Sequence, residues 1–464
     1  MIELLSNNKS DDIALLSSDF RKTYKELNRE INSIGLNLVS RGIVLIICDN
    51  TYENILIYLA CLRIGAIPLL LGNNIDDAQF NVYIDRYRPI HIFSPRTLKI
   101  AEKPVTILEN YFFYSKDNPL VDENIDLAML LTTSGSTGNP KLVKVTKKNL
   151  LANTESICGY LQLSKEERHI VTLPMNYTYG LSCINTFLFS GGSIIINTSP
   201  ITGREFWTNV DRLKPTYFSG VPYTYELIEK YFLDKFGKST IANFTQAGGK
   251  LKKSCIESIL RFSKEYQKRF IVMYGQTEAT ARMSYLPFSK LESKLGSIGK
   301  AIPGGSFSLR NKFIDQSCKG RFIGELVYQG DNVTQGYANS FHEVNKIEEH
   351  DDILNTGDLA WIDQDDYVYI VGRLNRFAKI SGIRVSLNDI DNIMEDLGYN
   401  CATYSDDAHL YIVIETESNI DAELTAIKNA LSKKINIPPL CIRLKTIKEL
   451  PRLESGKINY KLLG

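Results

Sequence analysis

From Thr133 to Lys141 the chain reads Thr-Ser-Gly-Ser-Thr-Gly-Asn-Pro-Lys. Gly135 and Gly138 permit backbone shapes that a Cβ would forbid, so main-chain N–H groups can turn inward. The hydroxyls of Thr133, Ser134, Ser136 and Thr137 add donors, and Lys141 adds a cation. Such an inventory suits a polyphosphate. It is not the P-loop of common nucleotide hydrolases. Counting from Gly135 reaches Pro140, and from Gly138 reaches Val143, where that pattern needs Gly-Lys. A strand-like stretch, Leu142 to Val145, follows where a P-loop would open a helix.

Four further clusters carry chemistry. Ala247-Gly248-Gly249 offers close backbone approach. In Tyr274-Gly275-Gln276-Thr277-Glu278 an aromatic ring, a hydroxyl and a carboxylate end an apolar run. Thr356-Gly357-Asp358 with Gly372-Arg373 supplies a fixed acceptor and a permanent cation. Gly456-Lys457, after Leu450-Pro451-Arg452, places a lysine in a turn-rich loop.

Parallel α/β layers are expected to position these groups. Ile43 to Cys48 is a continuous apolar run suited to a buried parallel strand. Thr51 to Arg63 has helical spacing, Gly65 stops it, and Ile67 to Leu71 is strand-like again. The rhythm returns at Ser193–Ile196, Glu205–Leu213, Tyr217–Ser219, a helix opening at Pro222, and Phe270–Tyr274. In such layers ligands bind at the carboxyl ends of strands. Beyond Tyr285 short strands and glycines predict an antiparallel subdomain, and beyond Arg373 a smaller α+β unit follows.

The 464 residues suggest about three domain-sized units. A net charge of +1 gives no global field for nucleic acid or a membrane surface. The region Ile55 to Leu71 is interrupted by Arg63, Gly65 and Pro68, and the N-terminus lacks a leader pattern, so no membrane span is expected. Eight scattered cysteines without a Cys-x-x-Cys pair read as reduced thiols of a cytoplasmic protein.

In series, the five clusters resemble the core motifs of the ANL superfamily of adenylate-forming enzymes, which includes acyl-CoA synthetases, adenylation domains and luciferases. The resemblance runs from Thr23-Tyr24-Lys25-Glu26-Leu27 to Lys457. It implies an α/β fold: residues 1–373 as a large N-terminal domain of two α/β subdomains plus a small β-barrel, and 374–464 as a small mobile α+β domain. It implies ATP and Mg²⁺, with acyl-AMP formed from a carboxylic acid, pyrophosphate released, and the acyl group passed to a phosphopantetheine thiol.

The resemblance also assigns roles. Thr133, Ser134, Gly135, Ser136, Thr137, Gly138 and Lys141 would wrap the β- and γ-phosphates. Tyr274, Gly275 and Gln276, with Gly248 and Gly249, would frame the adenine; Thr277 would touch the α-phosphate and Glu278 hold Mg²⁺. Asp358 would bind the ribose hydroxyls, Arg373 the ribose or phosphate side, and Lys457 would be the catalytic lysine. Gly382 would line the thiol tunnel. Asn375 stands at the hinge where the family usually has Asp or Lys.

The implied acid pocket comprises Tyr177, Tyr179, Ser219, Pro222, Tyr223, Gly248 and Ala279. Amino-acid activators carry Asp at the Tyr177 position, and tyrosine supplies no negative charge at neutral pH. A small or aromatic acid with an uncharged chain is therefore expected. The acceptor is either CoA or a separate acyl carrier protein, and the protein a monomer or homodimer. The alternative is a non-catalytic nucleotide- or acyl-adenylate-binding member of the same fold, motivated by Asn375.

Overall fold

A computed structural model describes residues 10–132, 141–315, 320–346, 351–374, 376–380, 383–406, 408–435, 437–453 and 456–463. The chain forms two compact units: Met1–Ser306 with Tyr328–Leu354, and Phe307–Val327 with Asn355–Gly464.

The first unit is built on two large sheets. One has eight strands in the order Tyr337–Ala338, Leu142–Thr146, Leu127–Thr132, Ile67–Gly72, Ile43–Cys48, His91–Ser94, Tyr111–Ser115 and Val105–Leu108. Its centre is parallel, with Ile43↔Ile67 and Val44↔His91 in register. Val44, Ile46 and Cys48 enter one core while Ile43, Leu45 and Ile47 enter another. Both faces are covered, which is why this strand is apolar at every position. The helix Tyr52–Ile64 that follows starts at Thr51, whose hydroxyl accepts from Asn54 N, and ends at Gly65 with φ 73°. The βαβ unit expected from the sequence is therefore present.

The other sheet has nine strands: Lys300–Ala301, Ser284–Leu286, Arg269–Tyr274, Asn243–Gln246, Tyr217–Gly220, Arg168–Ile170, Ser193–Ile195, Ile13–Leu16 and Arg21–Thr23. The strands from Arg269–Tyr274 to Ile13–Leu16 are parallel neighbours. The intervening helices include Arg204–Leu213 and Pro222–Tyr231, the latter with proline in its first turn. One apolar core joins both sheets through the helices Tyr24–Gly35, Tyr52–Ile64 and Thr178–Phe189. Thr23 caps the first of these in a capping box with Glu26.

The second unit contains most of an antiparallel four-stranded sheet, in the order Gly305–Asp315, Arg321–Gly330, Ile353–Ile362 and Val368–Arg373. It also holds a three-stranded sheet of Asn400–Ser405, Leu410–Glu415 and Ile442–Ile447. Ile412 and Ile414 face a core shared with helices Leu387–Asp396 and Asp421–Ile435, while Val413 faces a smaller one with Leu450 and Leu463. Among the described residues no helix is long and apolar enough to cross a membrane. The described cysteines are free thiols.

Candidate active site

Strands Leu127–Thr132 and Leu142–Thr146 pair antiparallel, with Thr132 opposite Leu142. The hydroxyl- and glycine-rich segment therefore joins two adjacent strand ends, as the sequence suggested. Thr133, Ser134, Gly135, Ser136, Thr137 and Gly138 lie outside the described residues. Lys141 is described, and its Nζ sits 3.6 Å from the centroid of the Tyr337 ring, a cation–π contact. Tyr337 belongs to the edge strand that pairs with Leu142–Thr146, opposite Val143. Its hydroxyl donates to Glu278 Oε1 at 2.5 Å. Burial, and then this bond, push the phenol well above its ordinary pKa, so it stays a donor. Lys141, Tyr337 and Glu278 thus form one contiguous chain of contacts, and nothing in the sequence spacing flagged Tyr337.

Glu278 lies in a single 3₁₀ turn, Thr277–Ala279, just beyond the parallel strand Arg269–Tyr274. The turn is held from many sides. Thr334 donates to Glu278 O through its N–H at 3.0 Å and its hydroxyl at 3.1 Å. Asn332 Nδ2 donates to Ala279 O at 2.8 Å, and Thr280 Oγ1 donates to Asn332 O at 2.7 Å. Thr280 and Ala281 adopt φ of 53° and 106°, a region costly for side-chain-bearing residues. At Gly275 an added Cβ would stand 1.7 Å from Ala281 O, so only glycine fits. Thr277 Oγ1 lies 3.1 Å from Thr178 Oγ1, and Gln276 Nε2 donates to the half-buried Tyr274 hydroxyl at 3.2 Å.

Several expected pocket residues come together. Gly248 has φ 89°, and a Cβ there would meet the Tyr177 hydroxyl at 2.4 Å. Burial pushes the Tyr177 phenol up to about 12, so it carries no charge at neutral pH. The Tyr177 and Tyr179 rings meet edge to face at 6.3 Å. The Tyr179 hydroxyl donates to Thr245 O at 2.9 Å. Ser219 Oγ lies 2.7 Å from Thr245 Oγ1 and 2.9 Å from His169 Nε2. Burial, then the nearby Arg282, hold His169 down to about 3, so the imidazole is neutral. Gln246 Nε2 donates to Gly249 O at 2.9 Å. Pro222 and Tyr223 open the helix Pro222–Tyr231, and Ala279 is fully buried in the turn.

The remaining expected residues are in the second unit. Asp358 and Arg373 face each other across paired strands, and Arg373 Nε donates to Asp358 Oδ1 at 2.7 Å. The Asp358 carboxylate is buried while the arginine is half exposed. Thr356 Oγ1 accepts from Asp358 N at 3.1 Å. Lys457 is exposed on a hairpin. Its carbonyl accepts from Leu453 N at 2.8 Å, Asn459 N donates to Pro451 O at 2.7 Å, and Arg452 bridges Ile458. Asn375 and Gly382 lie outside the described residues.

For Mg²⁺, the chemistry of the donor set fits. No cluster of three or more His, Cys, Asp or Glu side chains suited to a metal exists among the described residues. The Glu278 carboxylate offers one hard oxygen ligand and leaves the rest to phosphate oxygens.

The family described as AMP-binding enzyme matches residues 4–338. Oxalate–CoA ligase of Arabidopsis thaliana is 24% identical over 97% of this chain and 94% of its own. Bacitracin synthase 2 of Bacillus licheniformis is 26% identical over 98% of this chain and 18% of its own. O-succinylbenzoate coenzyme A synthetase (MenE) of Bacillus subtilis, solved in complex with ATP and magnesium ion, superposes with a TM-score of 0.76 at 19% identity, covering 98% of each chain. The match over residues 4–338, together with that shared α/β architecture, makes the chain a member of the AMP-binding enzyme family, within the adenylate-forming ANL superfamily.

Proposed function

We propose that the protein is an acid–thiol ligase that activates a small carboxylic acid with ATP and passes the acyl group to a phosphopantetheine thiol. The Lys141–Tyr337–Glu278 chain of contacts carries the reading. It joins a cation that follows the Thr133–Gly138 segment in sequence to a carboxylate at the carboxyl end of a parallel strand, where α/β proteins bind ligands.

An oxygen of the substrate carboxylate attacks the α-phosphorus of ATP. The bond to the β-phosphate oxygen breaks, and pyrophosphate leaves with the electron pair. Lys141 and the hydroxyls of the 133–138 segment stabilise the charge that builds on the leaving group. Glu278 would hold Mg²⁺, which would supply positive charge to the phosphate oxygens. Thr277 contacts the α-phosphate, and Tyr274, Gly275, Gln276, Gly248 and Gly249 frame the base. Asp358 accepts from the ribose hydroxyls while Arg373 orients it. Lys457, carried by the 374–464 domain beyond a hinge at Asn375, bridges the carboxylate and the ribose during attack. The thiol then attacks the acyl carbonyl, AMP departs, and Gly382 lines the thiol's path. The name of one relative, oxalate–CoA ligase, supports CoA as the acceptor; a carrier-bound thiol is the other arm of the test.

The test is carboxylate-dependent exchange of labelled pyrophosphate into ATP across a panel of acids. The active acid is then supplied with CoA or with phosphopantetheinylated carriers, and the thioester is measured. Exchange with at least one acid is expected. ATP binding without exchange for any acid overturns the reading.

A further inference from the structure

Arg282 follows the strained turn directly, and its side chain is only 2% exposed. Its backbone is fixed on both sides. Asn153 Nδ2 and Asn332 Nδ2 donate to its carbonyl at 2.8 and 3.1 Å, and Ala281 before it adopts φ 106°. The backbone that carries this buried guanidinium is therefore fixed on both sides.

Such a cation ordinarily has a carboxylate beside it, because burying an unmatched charge costs several kcal/mol. Arg282 has none among the described residues. Its NH1 group lies 3.4 Å from both the Tyr160 hydroxyl and Met273 Sδ, and its NH2 lies 3.3 Å from Cys183 Sγ. Its Nε is buried without a hydrogen-bond partner. The guanidinium carbon stands 5.0 Å from the centroid of the Tyr179 ring. Burial keeps Tyr160 and Tyr179 as neutral phenols. Long contacts to a phenol and two sulfurs are weak partners for a group with five donors in a fork matched to carboxylates.

The location gives this charge a use. Tyr179 has Arg282 on its face and Tyr177 at its edge, and the Tyr177 hydroxyl covers Gly248. Cys183 Sγ, which touches Arg282, also lies 3.4 Å from Ser219 Oγ. The cation thus packs directly against Tyr179 and, through Cys183, reaches Ser219, two of the candidate acid-pocket residues. We propose that Arg282 receives a second anionic group, so that the substrate is a short acid carrying a carboxylate or sulfonate at its far end. This inference rests on the acid-activation reading and replaces the uncharged chain expected from Tyr177 alone. Tyr177 argues only against an ammonium group; Arg282 argues for an anion. A terminal carboxylate would exchange the long contacts for charge-assisted bonds of about 2.7–2.9 Å.

The experiment measures kcat/KM for acid-dependent pyrophosphate exchange by the full chain. Each α,ω-dicarboxylate from three to eight carbons, and sulfoacetate, is paired with the monocarboxylate of the same length. Wild type is expected to favour the best dianion by at least ~10²-fold over its partner, since a polar site left unpaired rejects the truncated analogue. Arg282→Met is expected to bring that ratio to within about threefold while ATP affinity stays unchanged, and Arg282→Lys to retain part of it. A purely structural arginine would alter stability and leave the ratio intact, which overturns the proposal. If Arg282→Met does not fold, the wild-type panel decides alone: exchange only with monocarboxylates overturns this inference while leaving acid activation standing. No exchange with any acid removes both.

Discussion

The turn around Glu278 and the hairpin around Lys457 hold the two side chains given the largest electrostatic roles, and they are built in opposite ways. The turn is fixed by Asn332, Thr334 and Thr280, by a glycine with no room for a Cβ, and by positive φ at Thr280 and Ala281. Among the described residues the hairpin is held by main-chain bonds and by Arg452 NH1, which donates to Gly456 O at 3.1 Å; the buried Leu450 and Ile458 anchor it against the small sheet, and Lys457 itself is exposed. A group that must present a fixed charge to a metal and phosphates gains from preorganisation. A group that is to act in one step and leave for the next gains from standing at the surface on a short hairpin.

That contrast can be broken at either end. The largest effect is expected for Gly275→Ala. Its methyl would overlap Ala281 O, which forces the turn apart, and a loss of about 4 kcal/mol or more is expected. Thermal unfolding measures it, and a variant with wild-type Tm would show the turn to be looser than its geometry. Next comes Lys457→Ala, which should cut adenylation by at least ~10²-fold while leaving the Tm within about 1 °C. Thioester formation from supplied acyl-AMP should be spared; equal loss of both half-reactions sinks the role given to Lys457. The smallest effect is expected for Tyr337→Phe. It removes one hydrogen bond to Glu278 but keeps the ring beneath Lys141, so adenylation should fall about tenfold, with a raised Mg²⁺ requirement. An unchanged Mg²⁺ titration would separate Tyr337 from the metal's carboxylate.

Much of the fold was legible because it is local. The run Ile43–Cys48 is apolar at every position because both of its faces are covered, and Thr51 and Gly65 mark the ends of the next helix. The residue clusters were legible as types and spacings, down to the carboxylate at the end of a buried strand. Tyr337 was not, since it meets Glu278 across 59 positions through the edge strand of the other large sheet. Periodicity carries no information about such a meeting. Arg282 was visible as a charge in the run Ala279-Thr280-Ala281-Arg282-Met283, but arginines are mostly exposed, and only packing shows this one to be enclosed. Thr133 to Gly138, Asn375 and Gly382 lie outside the described residues, so their roles rest on sequence resemblance.

The strand Ile13–Leu16 pairs in parallel with Ser193–Ile195, with Leu15 opposite Ile194. On the ribosome, at about 5–20 residues per second, the first of these strands is made tens of seconds before the second. Until then its main-chain groups on that side can be satisfied only by water or by a chaperone. The Tyr24 hydroxyl of helix Tyr24–Gly35 gains its partners only then, since it donates to Leu188 O and Gly192 O. The Ile13–Leu16 edge of the nine-stranded sheet therefore cannot complete its parallel pairing until Ser193–Ile195 has been made.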